Sequence, residues 1–331
     1  MTMDMVFTYV NGADPAHVAK RSAIGAVSGH WMQSPASGRG IWYNDVGEIL
    51  FSVRSVLKYM PWIGTIFIVT DEQVPPVDRE LLDSGRVRII DHREIIPAEF
   101  RPAFASTIIE SFLHRIPGLS EIYLYNNDDF MHGSPIAPDE FRYVLPDGSQ
   151  RLRLRTVPGI LRHLIRTLSD WSPRALPRAN PYTAGISNAG GLLHRRCGLP
   201  WNSIVSPRHV TQTYRISTAK RIETVLAVEL QAARERHIRN HGQLSWGTLA
   251  YSLECHWNGA ERRPHRPVIA GTAADELFLD FSRCAGPRQM TAAWNRVRAS
   301  RAKFICLNNI PASEKTTFHS IMVAKGLADP V

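Results

Sequence analysis

The sequence predicts an α/β fold, a doubly wound and mostly parallel sheet with a helical C-terminal half. Over residues 1–135, short runs of Val, Ile, Phe and Tyr alternate with segments of helical periodicity. Turn-forming Asn, Asp, Gly or Pro punctuates almost every run. Strands and helices alternating in this way build parallel sheets with crossover helices. One domain over 1–331 is expected to divide into an α/β part at 1–135, an arginine-rich insert at 140–180 and a helical part at 181–331.

Val6 to Val10 (VFTYV) is β-branched and aromatic, so it reads as a strand, ended by Asn11-Gly12. Ser28 to Gly40 is rich in Gly, Ser and Pro and reads as a loop. Asp45 to Met60 reads as a helix, because Ile49, Leu50, Val53, Val56, Leu57 and Met60 fall on one face. Asp45 with Glu48 three residues on resembles a capping box, and Pro61 helps to stop the helix. Thr65–Val69, Val87–Ile90 and Glu121–Tyr125 are the next strands, with helices between them at Pro75–Ser84 and Ser106–Ile116. Further on, Ala219–Arg236 reads as one long amphipathic helix, with others at Ser245–Trp257 and Pro287–Ala302.

Composition narrows the class. At 331 residues, 44% hydrophobic and 21% charged, the chain can bury a substantial core and is not disordered. The net charge of +9 suits polyanions such as nucleic acid, acidic glycans, nucleotide phosphates or an anionic membrane face. Cys197, Cys255, Cys284 and Cys306 form neither a CxxC pair nor a zinc-like spacing, which fits a reducing cytoplasm. No apolar run approaches the ~20 residues of a membrane helix. The opening MTMDMVFTYV reads as a strand, not a signal peptide, so a cytoplasmic location is expected.

Polar clusters follow each early strand: Asn11-Gly12-Ala13-Asp14, Thr70-Asp71-Glu72, Asp91-His92-Arg93-Glu94 and Asn126-Asn127-Asp128-Asp129. In a parallel sheet these lie on one edge, where open α/β sheets bind ligands. Neither GxGxxG nor GxxxxGK[ST] follows the first strand, which disfavours a dinucleotide enzyme or a P-loop kinase. Taken alone, Asn126 to Asp129 is either an Asx-type turn or a cation site. Its place beside three other polar clusters favours the cation. His209, in Pro207-Arg208-His209-Val210-Thr211, is either a solvated surface residue or a general base. Arg239 and Gln243 have no local reading beyond a solvated face, and Glu110 and His114, four apart, are expected to pair on one helix face. Asn308-Asn309 follow the apolar Phe304–Leu307, again a strand-to-loop edge.

Several segments resemble the Stealth sugar-1-phosphotransferases, the group of bacterial capsule polymerases and the lysosomal-enzyme N-acetylglucosamine-1-phosphotransferase. Met5–Pro15 (MVFTYVNGADP) is similar to the first signature. Asn44–Trp62, Ile66–Asp71, Asp91–Pro97 and Glu110–Phe130 are similar to the second. The Asn188 segment and His209–Gln243 resemble the third, and Phe304–Asn309 (FICLNN) the fourth. The resemblance implies a nucleotide-sugar transferase fold, GT-A-like or Rossmann-like, with the α/β part at 1–135 holding the donor. It implies transfer of hexose 1-phosphate from a nucleotide sugar, usually a UDP-sugar such as UDP-GlcNAc, to a glycan or polysaccharide acceptor, with UMP released. Carried over as substrate-binding are Asn11, Gly12, Asp14, Asp45, Glu48, Arg54, Asn127, Asn188 and Gln243. Asp128, Asp129 and Asn308 are carried over for Mg²⁺ or Mn²⁺. Asp128, Asp129, His209 and Arg239 are the expected catalytic set, with His209 as base and Arg54 or Arg239 facing phosphate charge.

Ala105 and Thr107 stand where the family has Asn and His, and Asn309 where it has Asp. No proline follows His209-Val210-Thr211. An ordinary glycosyltransferase releasing UDP would share the sheet, metal and donor. A nucleic-acid-binding protein would use the charge, but no such motif is present and none is expected as partner. A non-catalytic glycan-binding scaffold is a third class. Arg151, Arg153, Arg155, Arg162, Arg166, Arg174 and Arg178, set against Asp170, are expected to face an anionic acceptor or the inner face of a membrane.

Overall fold

The computed structural model describes residues 2–28, 45–160, 163–164, 167, 181–237, 242–263 and 275–327. Strand β1 (Asp4–Thr8) leads to helices α1 (Pro15–Ser28) and α2 (Glu48–Tyr59) and strand β2 (Ile66–Thr70). Short helix α3 (Arg79–Asp83), strand β3 (Val87–Asp91) and short helices α4 (His92–Ile95) and α5 (Ser106–Glu110) precede strand β4 (Ile122–Asn127). Strands β5 (Phe130–His132), β6 (Arg142–Val144) and β7 (Gln150–Pro158) follow, then helix α6 (Pro181–Cys197) and strands β8 (Val205–Pro207) and β9 (Gln212–Arg215). Helices α7 (Ile216–Val225), α8 (Ala227–Arg234) and α9 (Trp246–Asn258) lead to strands β10 (Glu261–Arg263) and β11 (Glu276–Asp280). Helix α10 (Pro287–Ala299), strand β12 (Phe304–Asn308) and helix α11 (Lys315–Ala324) come last.

The main sheet has the order β3-β2-β1-β4-β9. Its first four members run parallel, and β9 pairs antiparallel with β4 at the edge. The chain therefore winds outward from β1 to β3 and returns on the other side at β4. That reversal makes the gap between β1 and β4 a topological switch point, with a crevice at their carboxyl ends. Asp128–Asp129 is the whole connection from β4 to β5, and β5 belongs to a second sheet, β11-β12-β5. The C-terminal half is thus less helical than expected, since β11 and β12 add a sheet that abuts the first at this turn.

Helix α2 serves both sheets. Ile49, Val53 and Val56 sit in the large core under the main sheet, while Phe51 packs with Phe318 and Trp294 in the smaller core under β11 and β12. Being buried on nearly all sides, it fixes one sheet against the other.

Several element boundaries differ from expectation. Asp45 and Glu48 form no capping box. Gly47, left-handed at φ 90, occupies the N-cap, so the helix starts at Glu48. Their carboxylates fold back instead onto Gly47 N and Val46 N, at 2.7 and 2.8 Å. The helix after Ser106 stops at Glu110, where the Ser111 hydroxyl turns back onto the Ile108 carbonyl at 2.7 Å. His114 consequently pairs not with Glu110 but with Glu223, at 3.0 Å. The long helix expected over 219–236 breaks at Leu226 (φ −120, ψ 30), whose side chain is wholly buried. The helix expected from Pro75 is confined to α3, and that expected to run to Ala302 ends at Ala299. The Ser28–Gly40 loop lies, beyond Ser28, outside the described residues.

Candidate active site

The crevice between β1 and β4 is lined by carboxylates from two elements and a tyrosine from a third. Asp128 and Asp129 leave β4, Asp45 and Glu48 stand at the start of α2, and Tyr9 follows β1 and donates its hydroxyl to Asp45 Oδ2 at 2.7 Å. The backbone of the Asp pair is held from both sides. The Ser52 hydroxyl of α2 donates to the Asp128 carbonyl at 2.6 Å, and Leu307 N of β12 donates to the Asp129 carbonyl at 3.1 Å. The Cys306 thiol lies 3.6 Å from Asp129 Oδ2, while Asp129 Oδ1 is enclosed without a partner. Asn127 Oδ1 accepts from the Tyr125 hydroxyl at 2.7 Å, which fixes the last residue of β4.

Among the described residues this cluster lacks compensating charge. Burial pushes Asp128 well above the ordinary carboxylate range, and the negative charges of Asp129, Glu48 and Asp45 push it further. Burial raises Asp129 to about 6, partly offset by the Cys306 thiol. Burial also raises Glu48 to about 8, against backbone N–H bonds that favour its ionised form. Among the described residues no lysine or arginine forms an ion pair with these four carboxylates. Nor do three His, Cys, Asp or Glu side chains converge on one metal-binding point among the described residues. A hard cation nevertheless suits the donor set, since Mg²⁺ typically takes one or two carboxylates and completes its shell with phosphate oxygens and water. The unpartnered Asp129 oxygen fits that role.

The second sheet extends the site. Asp280 of β11 lies opposite Asn308 of β12, and Phe278 lies opposite Cys306, which in turn faces Phe130 of β5. Asn309, left-handed at φ 59, donates from its side-chain amide to Asp280 Oδ1 at 2.9 Å. Asp280 thus supplies a carboxylate beside the position where the resemblance expects one. Exposed His209 rests over this sheet, its ring 5.8 Å from that of Phe130, the residue after Asp129.

Two anchors pin the loop that carries His209. Arg208 pairs with Glu276 of β11 at 2.5 Å, and Thr211 Oγ1 lies 2.9 Å from His132 Nε2. His132 is buried, and its Nδ1 lies 3.3 Å from Ser55 Oγ. The single Ser55 hydroxyl proton is committed to the Ser52 carbonyl, at 2.7 Å. Nδ1 therefore donates, and Nε2 accepts from Thr211. A buried chain thus runs from α2, which holds Asp128, to the His209 loop.

Burial lowers His132 to about 3, so the folded chain keeps it neutral. An unfolded histidine titrates near 6.5. The unfolded state therefore binds the extra proton between those values, and this contribution to stability is present above about pH 6.5 and lost as pH falls. His132→Asn is expected to melt below the parent at pH 7, with the gap narrowing as pH is lowered to 4.5. A gap that stays constant across that range in thermal melts would exclude the titration.

Other expected site residues are placed elsewhere. Arg54 is buried and pairs with Asp78 at 2.7 Å while donating to the Leu327 carbonyl at 3.1 Å. Those contacts tie α2 to the segment before α3 and to the chain after α11. Arg54→Met is accordingly expected to cost about 3 kcal/mol of stability, the usual loss on breaking an enclosed ion pair. Denaturant unfolding checks this; an unchanged midpoint with weakened donor binding would return Arg54 to the phosphate.

Asp14 caps α1, accepting from His17 N at 2.8 Å ahead of Pro15 at the first helical position. Asn11 exchanges two bonds with Gln73, both 2.9 Å, so Asn11-Gly12 is braced against the segment after β2. The carboxylates after β2 and β3 are neutralised by Lys20 of α1, which pairs with Asp71 and Glu72, and by Arg93, which pairs with Glu72 and Asp91. Asn188 donates to the Gln243 carbonyl at 2.9 Å, and both line or brace a cavity of about 540 Å³ beside α6 and α8. Thr107 and Ser106 begin α5, and Ala105 is fully buried. Arg239 lies outside the described residues.

The arginine-rich stretch is partly spent inside the fold. Arg151 bonds the Asn258 carbonyl, Arg153 pairs with Glu261 at 3.0 Å, and Arg155 with Glu140 at 2.8 Å. Arg162, Arg166, Arg174 and Arg178 lie outside the described residues. No helix among the described residues is long and apolar enough to cross a membrane. Tyr9, Ser52, His132 and Asp280 escaped sequence reasoning. Only Asp280, closing the alternating Glu276–Asp280 (ELFLD), left a strand-end signal like the others.

Residues 42–149 match Stealth protein CR2, conserved region 2. The chain is 41% identical over 143 residues to the capsular polysaccharide phosphotransferase cps1A of Actinobacillus pleuropneumoniae, covering 42% of this chain and 38% of that protein. It is 35% identical over 247 residues to the capsular polysaccharide phosphotransferase fcs1 of Haemophilus influenzae, covering 75% and 63% respectively. The matches thus span less than two thirds of these relatives. Among solved structures, the galactosyltransferase LgtC in complex with donor and acceptor sugar analogs aligns over 97% of this chain and 96% of that one, with 9% identity and a TM-score of 0.43.

Proposed function

We propose, from the premise that the chain belongs to the Stealth family, that it transfers hexose 1-phosphate from a nucleotide sugar to a glycan hydroxyl in the synthesis of a surface polysaccharide. The observation that carries this reading is the unneutralised carboxylate pair Asp128–Asp129 at the switch point, with His209 on the adjoining sheet. The relatives' names as capsular polysaccharide phosphotransferases support it. Asp128 and Asp129, with Asn308 as a further oxygen ligand, would hold Mg²⁺ or Mn²⁺, which supplies charge neutralisation on the donor phosphates.

Phosphoryl transfer needs positioning and electrostatic stabilisation more than covalent help from the protein. His209 takes the proton of the acceptor hydroxyl as its oxygen bonds the β-phosphorus. The phosphoanhydride bond between the α- and β-phosphates breaks, and the electron pair leaves with UMP. The sugar keeps its phosphate, and no bond to the anomeric carbon changes. Arg239, carried by the family pattern, is proposed to balance charge on the transferring group.

The test is a screen of nucleotide sugars with Mg²⁺ or Mn²⁺ and a polysaccharide acceptor, with UMP and UDP resolved among the products. UMP in step with transfer is expected. Stoichiometric UDP would identify a glycosyltransferase instead.

A further inference from the structure

We propose that Phe278 and Tyr182, both packed against His209, form a stacking subsite for a sugar ring of the acceptor; the assignment rests on the transfer reading above and deepens it. Among the described residues these are the two exposed aromatic side chains, at 42% and 36% exposure. Both set their rings edge to face against the His209 imidazole, at 4.9 and 6.0 Å between centroids. Phe278 stands on the outer side of β11, between Glu276 and Asp280, while Leu277 and Leu279 point into the core. A phenylalanine left 42% exposed at such a position forgoes burial that a polar residue would not seek. Exposed apolar surface rimmed by polar groups marks ligand-binding grooves.

The position selects the occupant. Asp280 lies two residues, or about 7 Å, along β11 from Phe278 and shares its face. The crevice residues Tyr9 and Asn11 follow β1 on one flank of Asp128–Asp129, whereas β12 and β11 lie on the other, joined through the bond from Leu307 N to the Asp129 carbonyl. A nucleotide at the switch point and the aromatic pair therefore occupy opposite flanks of the carboxylates. The hydroxyl that His209 deprotonates must come within hydrogen-bond reach of its ring. The sugar carrying that hydroxyl then comes within reach of both Phe278 and Tyr182, which contact the His209 ring. A pyranose suits such a pair, because its C–H groups can lie on an aromatic face while its hydroxyls reach the polar rim.

The experiment compares Phe278→Ala, Tyr182→Ala and Phe278→Trp, using methyl hexopyranosides as acceptor probes. In the alanine variants the acceptor KM is expected to rise about tenfold, the loss of roughly one stacking contact, while donor KM stays within about twofold. Phe278→Trp should restore the parent value. An unchanged acceptor KM, or a rise confined to the donor KM, overturns the subsite and leaves the transfer reading standing. If the parent chain releases UMP from no nucleotide sugar, it is the transfer reading that fails. Saturation-transfer NMR with the same glycosides then decides the subsite: a signal lost in Phe278→Ala supports it, and no signal, or one indifferent to Phe278, overturns it.

Discussion

Asp128→Asn is expected to cost about a hundredfold or more in transfer rate while raising the melting temperature of the metal-free chain at pH 8. The two effects have one cause. Four carboxylates from β4 and α2 converge without a compensating cation among the described residues; burial holds Asp128, Asp129 and Glu48 above their ordinary ionisation range, and neighbouring negative charge adds to this for Asp128 and Glu48. An unfolded carboxylate titrates near 4. Their folded values are higher, so they stabilise the fold most fully below about pH 4. That contribution is lost as pH rises through about 6 for Asp129 and about 8 for Glu48. Removing one charge relieves the repulsion, as with other sites whose function is built on strain. Mg²⁺ should accordingly raise the melting temperature more at pH 8 than at pH 5, and less in Asp128→Asn than in the parent. Asp129→Asn should follow the same pattern. Full activity of either variant in chelator would remove the metal from the mechanism.

His209→Ala is expected to lower kcat by about a hundredfold to ten-thousandfold with donor KM nearly unchanged, because a base acts mainly in the transition state. Phosphorus NMR of the parent's product should show a phosphodiester resonance in step with UMP. The anomeric configuration should match the donor's, since the bond to that carbon stays intact. The anchors on the His209 loop make the variant informative. Arg208–Glu276 and Thr211–His132 hold the loop independently of the imidazole, so its removal should leave the fold and the donor site in place. A tenfold rise in donor KM with kcat intact would make His209 a donor contact. Phosphorus-free product would end the phosphotransfer reading.

The parallel sheet was readable from the strands around Phe7, Ile68, Ile89 and Leu124, since runs bounded by Asn, Asp and Gly leave few alternatives to a wound sheet. The helices beginning at Pro15 and Pro181 were not readable. Asp14-Pro15 carried a start signal, since Asp14 accepts from His17 N at the head of α1. In α6, Gly185, Gly190 and Gly191 lower helix propensity. Gly190 belongs there because a Cβ would meet the Trp201 ring at 2.8 Å, a contact that no local pattern reports.

By itself, the sequence determined the sheet, the single edge that gathers the polar strand ends, and the Stealth resemblance that names the chemistry. These depend on local periodicity and on residue types at strand ends, both properties of short segments. Only the tertiary structure decided which polar groups are committed elsewhere. Asp71, Glu72, Asp91 and Arg54 look as chemically apt as Asp128 in the sequence, yet Asp71, Glu72 and Arg54 are paired with partners distant in the chain and Asp91 with Arg93, which also reaches Glu72 across the sheet edge. Asp45, Glu48, Asp128 and Asp129 are instead brought together without such compensation, and Asp280 and the exposed Phe278 are set beside them by β11. Charge compensation and enclosure are sums over neighbours far apart in sequence, so they exist only once the two sheets meet at the Asp128–Asp129 turn.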